Sequence, residues 1–387
     1  MPKRILFALA ALLMVVSLVA VGCAPDETTP PDNGNGDVPD DGDNGDNGDN
    51  GDTPSQPSDE TFEWVAQAAL PSGMPVHEGL VRVAETIEEM SNGRLKIEPH
   101  PAGAVVPATE EWKGINSGVL DFCAGGGSYM SSDMRFQTVF SQCPAGMPPL
   151  PMMIFHQQVG YEVMNKWYRD EGYAFIELGG GLHGLPETWI HTTKPLNGPE
   201  DLDGIKMRAS GDAGKILEGM GVGTVFMPLG DIFEAMQRGT IDAFECSCPA
   251  FELSMGLEEA SEYAYLSPSR APTEIYQLLV SEEKFNELPA DLQAIVQDAV
   301  VAEAVNYHTM LHSRNADALS EMQEELTIEP LPSSIDSAFV AKTKEYYAEE
   351  VTKYPELEDY MVNNYLPFAK DWEELYGFPY EVMTDLD

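Results

Sequence analysis

Two oppositely charged residues, Arg208 and Glu245, each stand at the end of a short strand-like segment, 205–208 and 241–244. In α/β proteins the carboxyl ends of neighbouring strands meet at one edge of the sheet, where ligands bind. The forked guanidinium of an arginine can hold a carboxylate through two hydrogen bonds, which a lysine does less well. The pair therefore predicts an anion site, with or without a cation beside it. The alternatives are a salt bridge between the two, or an Arg208 paired with a surface acid.

Four cysteines, Cys123, Cys143, Cys246 and Cys248, lie near the ends of strand-like segments and so near the same predicted edge. They could be small buried thiols, form one or more disulfides in an oxidising compartment, or bind a metal as thiolates. Cys246 and Cys248 are too close in sequence for an unstrained disulfide with each other. Pairing cannot be read from spacing, so the three interpretations stay open.

The sequence contains no Gly-x-Ser-x-Gly, no His-Glu-x-x-His and no phosphate-binding loop ending in Lys-Ser/Thr, the motifs of several common enzyme classes. The glycine runs 125–127 and 179–181 match no dinucleotide fingerprint, and the 7 histidines show no metal-ligand spacing beyond scattered pairs. We therefore expect a binding protein and not an enzyme.

The composition narrows the class of partner. The chain of 387 residues has 21 Lys and Arg against 65 Asp and Glu, a formal net charge of −44. Nucleic acid is excluded as a partner because phosphate binding needs a basic face, and docking on anionic lipid through protein charge is disfavoured. Hydrophobic residues make up 43% of the chain, enough for a sizeable core.

The N-terminal residues 1–22 have the pattern of an export signal, with Lys3 and Arg4 before an almost purely apolar run. The alternative is a transmembrane helix near the minimum spanning length, but the stretch that ends at Cys23 resembles a bacterial lipobox. We predict that Cys23 is lipidated and anchors an exported protein to the extracytoplasmic face of the membrane. Residues 23–60 are predicted to be a disordered acidic tether. Its Asp-Gly-Asp strings lack the closing Glu and flanking helices of a calcium-binding EF-hand.

Strand and helix patterns alternate after residue 60, which is typical of an α/β fold. Segments 111–122 and 232–243 resemble each other, because in each an amphipathic helix ends at a Gly and an apolar-Asp strand leads into a polar turn. This similarity favours two equivalent lobes with the ligand in a cleft between them.

We assign residues 61–187 and 271–300 to lobe I and residues 188–270 to lobe II. A helical pattern from about residue 290 to 325 is long enough to connect the lobes, and a further helical pattern covers about 338–376. Residues 301–387 are therefore expected to form the long connecting helix and a helical C-terminal tail.

The stretches Pro-Glu-Asp-Leu-Asp-Gly-Ile-Lys-Met-Arg at 199–208, Gly-Thr-Val-Phe-Met-Pro at 223–228 and the segment 231–245 resemble the solute-binding proteins of TRAP transporters, the DctP family. The resemblance runs from about residue 62 to the C-terminus and is nearest to the subgroup that binds 2-oxo acids and other monocarboxylates. It implies a two-lobed, periplasmic-binding-protein-like α/β fold that delivers its ligand to membrane permease subunits. The Tyr-rich tail resembles members that form a homodimer by exchanging a C-terminal helix.

The resemblance also implies roles for individual residues. Arg208 pairs with the ligand carboxylate, and Glu245 orients the ligand or helps to hold a sodium or calcium ion that bridges protein and ligand. Tyr129 and Trp189 match aromatic residues of the cleft. Cys246, counted here among the ligand-binding positions, stands where the subgroup has a Trp.

Two further positions depart from the subgroup pattern. Leu185 lies where a metal-holding Gln is expected, and Ser128 departs beside Tyr129. These departures leave both the ion and the exact ligand undecided.

Together these features predict a lipid-anchored extracytoplasmic receptor that closes its two lobes on a small organic acid. One alternative is a ligand sensor that presents the closed form to a signalling partner. The other is a surface-anchored enzyme that uses the four thiols or a metal.

Overall fold

The computed structural model describes residues 60–386, so the predicted signal peptide, Cys23 and nearly all of the tether lie outside the described residues. Eleven strands of this part form two sheets. Their bounds are β1 Phe62–Ala68, β2 Leu95–His100, β3 Phe122–Gly126, β4 Phe175–His183, β5 Thr188–Thr192, β6 Lys206–Arg208, β7 Gly223–Val225, β8 Ala243–Phe244, β9 Tyr263–Leu266, β10 Ile275–Ser281 and β11 Thr327–Pro330.

Thirteen α-helices accompany the strands within residues 60–386. They are α1 Pro75–Met90, α2 Glu111–Asn116, α3 Gln137–Gln142, α4 Pro149–Phe155, α5 Tyr161–Asp170, α6 Gly211–Glu218, α7 Ile232–Gln237, α8 Pro249–Ser254, α9 Glu282–Glu287, α10 Ala290–Glu325, α11 Ser333–Glu350, α12 Pro355–Tyr360 and α13 Leu366–Tyr376. None of the described helices is both long and apolar enough to cross a membrane.

The first sheet has the strand order β2-β1-β3-β10-β4, and the second has the order β11-β9-β5-β8-β6-β7. In the first sheet β1 pairs in parallel with β2 and β3, while β10 runs antiparallel to β3 and β4. In the second, β6 pairs in parallel with β7 and β8. We call the part of the molecule built on the first sheet the first lobe and that built on the second sheet the second lobe.

The two similar sequence segments form equivalent structures. Helix α2 leads into β3 of the first sheet, and helix α7 leads into β8 of the second. Each helix is followed by a glycine in the left-handed region, Gly118 with φ 73° and Gly239 with φ 66°, a conformation that side chains with a Cβ rarely adopt. The expected two-lobed α/β architecture is confirmed.

The long helix α10 connects the two lobes, as its sequence pattern predicts. Near its start it packs so closely on β4 that a Cβ added at Gly180 would clash with the carbonyl oxygen of Val300. Near its end Met322 packs against Ala264 of the second sheet. The helix therefore touches both sheets along one continuous element.

The C-terminal tail is more interrupted than its pattern suggests. The strand β11, which the sequence analysis did not predict, adds to the edge of the second sheet beside β9. Helix α11 then packs Phe339 into the core of the second lobe and Tyr347 into the core of the first. Tyr360 and Tyr365 also lie in the first core, so the tail crosses back between the lobes.

Candidate ligand-binding site

Arg208 and Glu245 lie side by side because β6 and β8 are parallel neighbours whose ends coincide. Arg208 pairs in register with Phe244, and the backbone N–H of Glu245 donates to the Arg208 carbonyl at 3.1 Å. The Arg208 Nη1 donates to the Glu245 carboxylate at 2.8 Å and to its carbonyl at 2.9 Å. Both residues are buried, with 3% and 1% of their surface exposed. The sequence prediction of a shared sheet edge therefore holds.

Only part of the Arg208 guanidinium donates hydrogen bonds to other described residues. Its Nε donates to the Met227 carbonyl at 3.2 Å, and its Nη1 serves Glu245. Its Nη2 has no hydrogen-bond partner among residues 60–386. The exposed ring of Phe226 lies 5.8 Å from the guanidinium carbon. Arg208 is thus both a structural ion pair and an oriented donor with hydrogen-bonding capacity left for an anion.

The Glu245 carboxylate is saturated with donors. Its Oε1 accepts from Arg208 Nη1, from the Ser210 backbone N–H at 2.8 Å and from the Ser210 hydroxyl at 3.0 Å. Its Oε2 accepts from Arg270 Nη1 at 3.1 Å. A carboxylate with this many donors is fixed in place, and it holds Arg208 in one orientation.

A second buried arginine, Arg270, is a site residue that sequence reasoning missed. Its Nη2 donates to Glu187 Oε2 at 2.5 Å and to the Thr188 carbonyl at 2.9 Å, and its Nε donates to the Trp189 carbonyl at 2.9 Å. It is fully buried. It lies between β9 and β10, outside any strand, so no local pattern marks it. The signal that could have found it is its rarity as a cation in an acidic chain.

The acids around Arg270 are shifted by their burial. Burial raises the pKa of Glu187, and the neighbouring acids Glu274 and Glu245 add to this, while Arg270 opposes it. Burial also raises the pKa of Glu274 to about 7, although hydrogen bonds from Tyr276 and Ser247 favour its charged form. Arg208 and Arg270 are thus paired with Glu245 and Glu187 in one buried group of charges.

A cavity of about 760 Å³ opens at Ala209 and Ser210, the residues that follow Arg208, and its walls come from both lobes. Tyr129 lies on the first-lobe wall, and Ala209, Ser210 and Phe226 lie on the second-lobe wall. Burial and the charge of Glu274 raise the pKa of Tyr129, and Arg208 acts in the opposite direction. Tyr129 therefore stays a neutral phenol near the side chains of Glu274 and Arg208.

Two other predicted site residues lie behind this surface. The Trp189 ring is fully buried against Phe339 at 5.5 Å, and its Nε1 donates to the Ser269 hydroxyl at 3.1 Å. The Trp189 ring is thus part of the core and not of the cavity wall. Its backbone carbonyl contributes to the site by accepting a hydrogen bond from Arg270. Cys246 is buried with Phe244 in a small core cluster. Leu185 is also buried and apolar.

The four cysteines of the described residues are free and buried. Cys123 lies inside β3 and Cys143 follows helix α3, so only Cys246 and Cys248 come after a strand end. Burial raises the pKa of all four thiols. Within residues 60–386 no group of three or more His, Cys, Asp or Glu is arranged to hold a metal ion. Of the three interpretations of these cysteines, the described residues agree with small buried thiols.

A second ion-pair network, centred on Asp212, joins the lobes at the far side of the cavity. Arg135 of the first lobe donates to Asp212 at the start of α6, at 2.6 and 3.2 Å. Asp212 also accepts from Thr138 at 2.8 Å and from Tyr346 and Tyr347 of α11 at 3.0 Å each. The buried Asp212 carboxylate thus connects both lobes and the C-terminal tail.

Comparisons with known proteins agree with this architecture. The chain matches the profile of the bacterial extracellular solute-binding protein family 7 (DctP) over residues 65–353. The monocarboxylate 2-oxoacid-binding periplasmic protein of Nostoc sp. (strain PCC 7120) is 28% identical over 265 residues, which cover 67% of this chain and 71% of that protein. The C4-dicarboxylate-binding periplasmic protein of Rhodobacter capsulatus is 24% identical over 273 residues, 66% of this chain and 75% of that protein.

Two crystal structures share the fold. A TRAP periplasmic solute-binding protein from Colwellia psychrerythraea, with bound calcium and pyruvate, has a TM-score of 0.76 and 24% identity, covering 82% of this chain and 98% of that one. Another from Pseudoalteromonas atlantica, with bound sodium and pyruvate, has a TM-score of 0.74 and 24% identity, covering 82% and 97%. The family profile spans most of the described residues, and the chain belongs to family 7 of the bacterial extracellular solute-binding proteins, the DctP receptors of TRAP transporters.

Proposed function

We propose that this receptor binds a small monocarboxylate of the 2-oxo acid class. The observation that supports it best is the Nη2 of Arg208, which is oriented by Glu245 and has no protein partner among the described residues. A carboxylate is the ligand that matches a free, fixed guanidinium edge. The Nostoc relative, named for 2-oxoacid binding, supports the same ligand class.

Binding works by closure of the two lobes. The cavity walls come from both lobes, with Tyr129 on one side and Ser210 on the other. A ligand that bridges the walls favours the closed state by the difference in its affinity for the closed and open forms. Arg208 supplies charge and orientation, and the neutral Tyr129 phenol can donate or accept a hydrogen bond across the cleft.

The ions of the two related structures match the expectation that sodium or calcium can accompany the ligand in this fold. In this chain the predicted metal ligand, Glu245, has both carboxylate oxygens taken by Arg208, Ser210 and Arg270. Sodium and calcium need oxygen lone pairs, and a buried guanidinium repels a second cation. The residues therefore do not fit an ion on Glu245, and no step of binding is assigned to one.

A thermal-shift screen of the purified protein, unfolded and refolded to remove any carried ligand, tests the ligand class. Pyruvate and longer 2-oxo acids are compared with dicarboxylates, amino acids and polyols. At a hundredfold excess over its dissociation constant a ligand adds about 2.7 kcal/mol of stability, which raises the melting temperature by a few degrees. We expect the largest shifts from the 2-oxo acids. A shift only with polyols or amino acids would contradict the proposal.

We propose that Cys23 carries a lipid that holds the receptor at the membrane, where TRAP permease subunits receive its ligand. In cell fractionation the full chain should sediment with membranes, and the Cys23→Ala variant should be released or remain as an uncleaved precursor. An unchanged distribution and size for the variant would contradict the anchor. A ligand sensor would have the same cleft, and a pull-down with the liganded protein that recovers a signalling partner and no permease would favour it.

A homodimer through the C-terminal helix stays a prediction, supported by the exposed Leu375 and Tyr376 at the end of α13. Light scattering that gives the monomer mass at all concentrations would contradict it.

A further inference from the structure

Four oxygen atoms converge on one buried point behind Arg208. They are the carboxylate Oε2 atoms of Glu245 and Glu187 and the backbone carbonyls of Thr188 and Trp189. Two carboxylates and two carbonyls are the kind of oxygen set that a sodium or calcium ion takes. Here the guanidinium of Arg270 occupies the centre and donates to all four.

The arrangement is closed to solvent, and its parts depend on one another. Arg270 is fully buried and Glu187 is 3% exposed. The second oxygen of Glu187 accepts from the Gln142 side chain of the first lobe. Burial lowers the pKa of Arg270, but Glu187 and Glu245 more than compensate, so its pKa is raised overall and it stays charged.

On the basis of the proposed receptor function, we infer that Arg270 is a built-in replacement for the metal ion of the related structures, so that this receptor binds its carboxylate ligand without sodium or calcium. Arg270 is a positioning residue. It neutralises and fixes Glu245, and Glu245 fixes Arg208, whose free Nη2 meets the ligand. A covalently held cation at this place removes the need for an ion from solution.

The first test uses the wild-type full chain and pyruvate as the probe. Pyruvate is titrated by calorimetry into chelator-treated protein in a choline buffer, and the titration is repeated with sodium and with calcium. We expect dissociation constants that agree within about twofold in all three buffers. Binding that weakens more than about tenfold when metals are removed, about 1.4 kcal/mol, would overturn the inference and leave the receptor function intact.

The second test empties the oxygen set. In the Arg270→Gln variant we expect pyruvate affinity to fall at least about tenfold in the metal-free buffer, and calcium to restore most of it, because the vacated oxygens can then bind an ion. Loss of affinity that calcium does not restore would indicate a merely structural role and overturn the inference. The exposed Arg238, paired with Glu234, gives the control variant Arg238→Gln, which should behave as wild type.

A double variant and a calcium-binding measurement test the role of Arg270 when the Arg270→Gln variant does not fold or pyruvate does not bind. If the Arg270→Gln variant does not fold, the double variant Arg270→Gln/Glu187→Gln removes one positive and one negative charge together. Its affinity for pyruvate should fall in the metal-free buffer, and calcium bound at Glu245 should restore part of it. If pyruvate does not bind at all, the proposed ligand is wrong, and the role of Arg270 is then tested by measuring calcium binding without an organic ligand. The Arg270→Gln variant should then bind one more calcium than wild type, and equal calcium uptake would overturn the inference.

Discussion

Replacing Arg208 with alanine is expected to weaken binding of the cognate acid by about 2–5 kcal/mol, the cost of truncating one partner of a buried, hydrogen-bonded charge pair. Arg208 contributes the free Nη2 and is buried beside Glu245 at 2.8 Å. Its loss removes the donor for the ligand and leaves Glu245 with one fewer cation. Calorimetric titration of pyruvate, or of the best acid from the screen, measures the change.

Arg238 provides a matched control because its side chain is 70% exposed and pairs with Glu234, one helical turn earlier, at the surface. The Arg238→Ala variant should bind as wild type does. The Arg208→Lys variant keeps the charge but not the fork, so its affinity should fall between wild type and Arg208→Ala. Unchanged affinity in a folded Arg208→Ala protein would remove Arg208 from the site.

Replacing Asp212 with alanine is expected to lower the free energy of unfolding by about 3–5 kcal/mol, as measured for broken buried ion pairs. The Asp212 carboxylate accepts from Arg135, Thr138, Tyr346 and Tyr347. Without it, the buried Tyr347 hydroxyl loses its acceptor and Arg135 keeps only Glu350 as an acidic partner among the described residues. Denaturant unfolding measures the loss as a lower midpoint with an unchanged slope.

The control for Asp212 is an acid in an exposed pair. Asp170 bonds Lys166 on the surface of α5, with side-chain exposures of 54% and 60%, so Asp170→Ala should cost less than about 1 kcal/mol. Equal effects of the two variants would show that the Asp212 network adds little to stability.

Elements with a strong local pattern were predictable. The period of apolar residues marked α1 and the long helix α10, and the repeated helix–Gly–strand pattern marked α2 with β3 and α7 with β8. Strands β6 and β8 are parallel neighbours, so their carboxyl ends meet at one edge of the sheet. This is why the sequence alone could place Arg208 and Glu245 together.

Side-chain direction was a weaker inference. Trp189 was expected in the cleft because it matches a cleft Trp of the family. Its ring instead packs on Phe339, in a helix that begins more than a hundred positions later. The strand β11 was missed for a related reason. It is short, and it is a strand only because β9 offers it a free edge.

The amino-acid sequence by itself indicated the family, through motifs such as that at 199–208, and the two α/β lobes, because alternating strand and helix patterns and turn glycines are local features. It also placed Arg208 and Glu245 at one sheet edge. Only the tertiary structure decided how the charges pair. Arg270 reaches Glu187 across 83 positions, and Arg135 reaches Asp212 across 77. Such pairs have no local signature, since the position of each partner is set by the packing of separate elements. In this receptor that packing places the Arg270 guanidinium among four oxygen atoms.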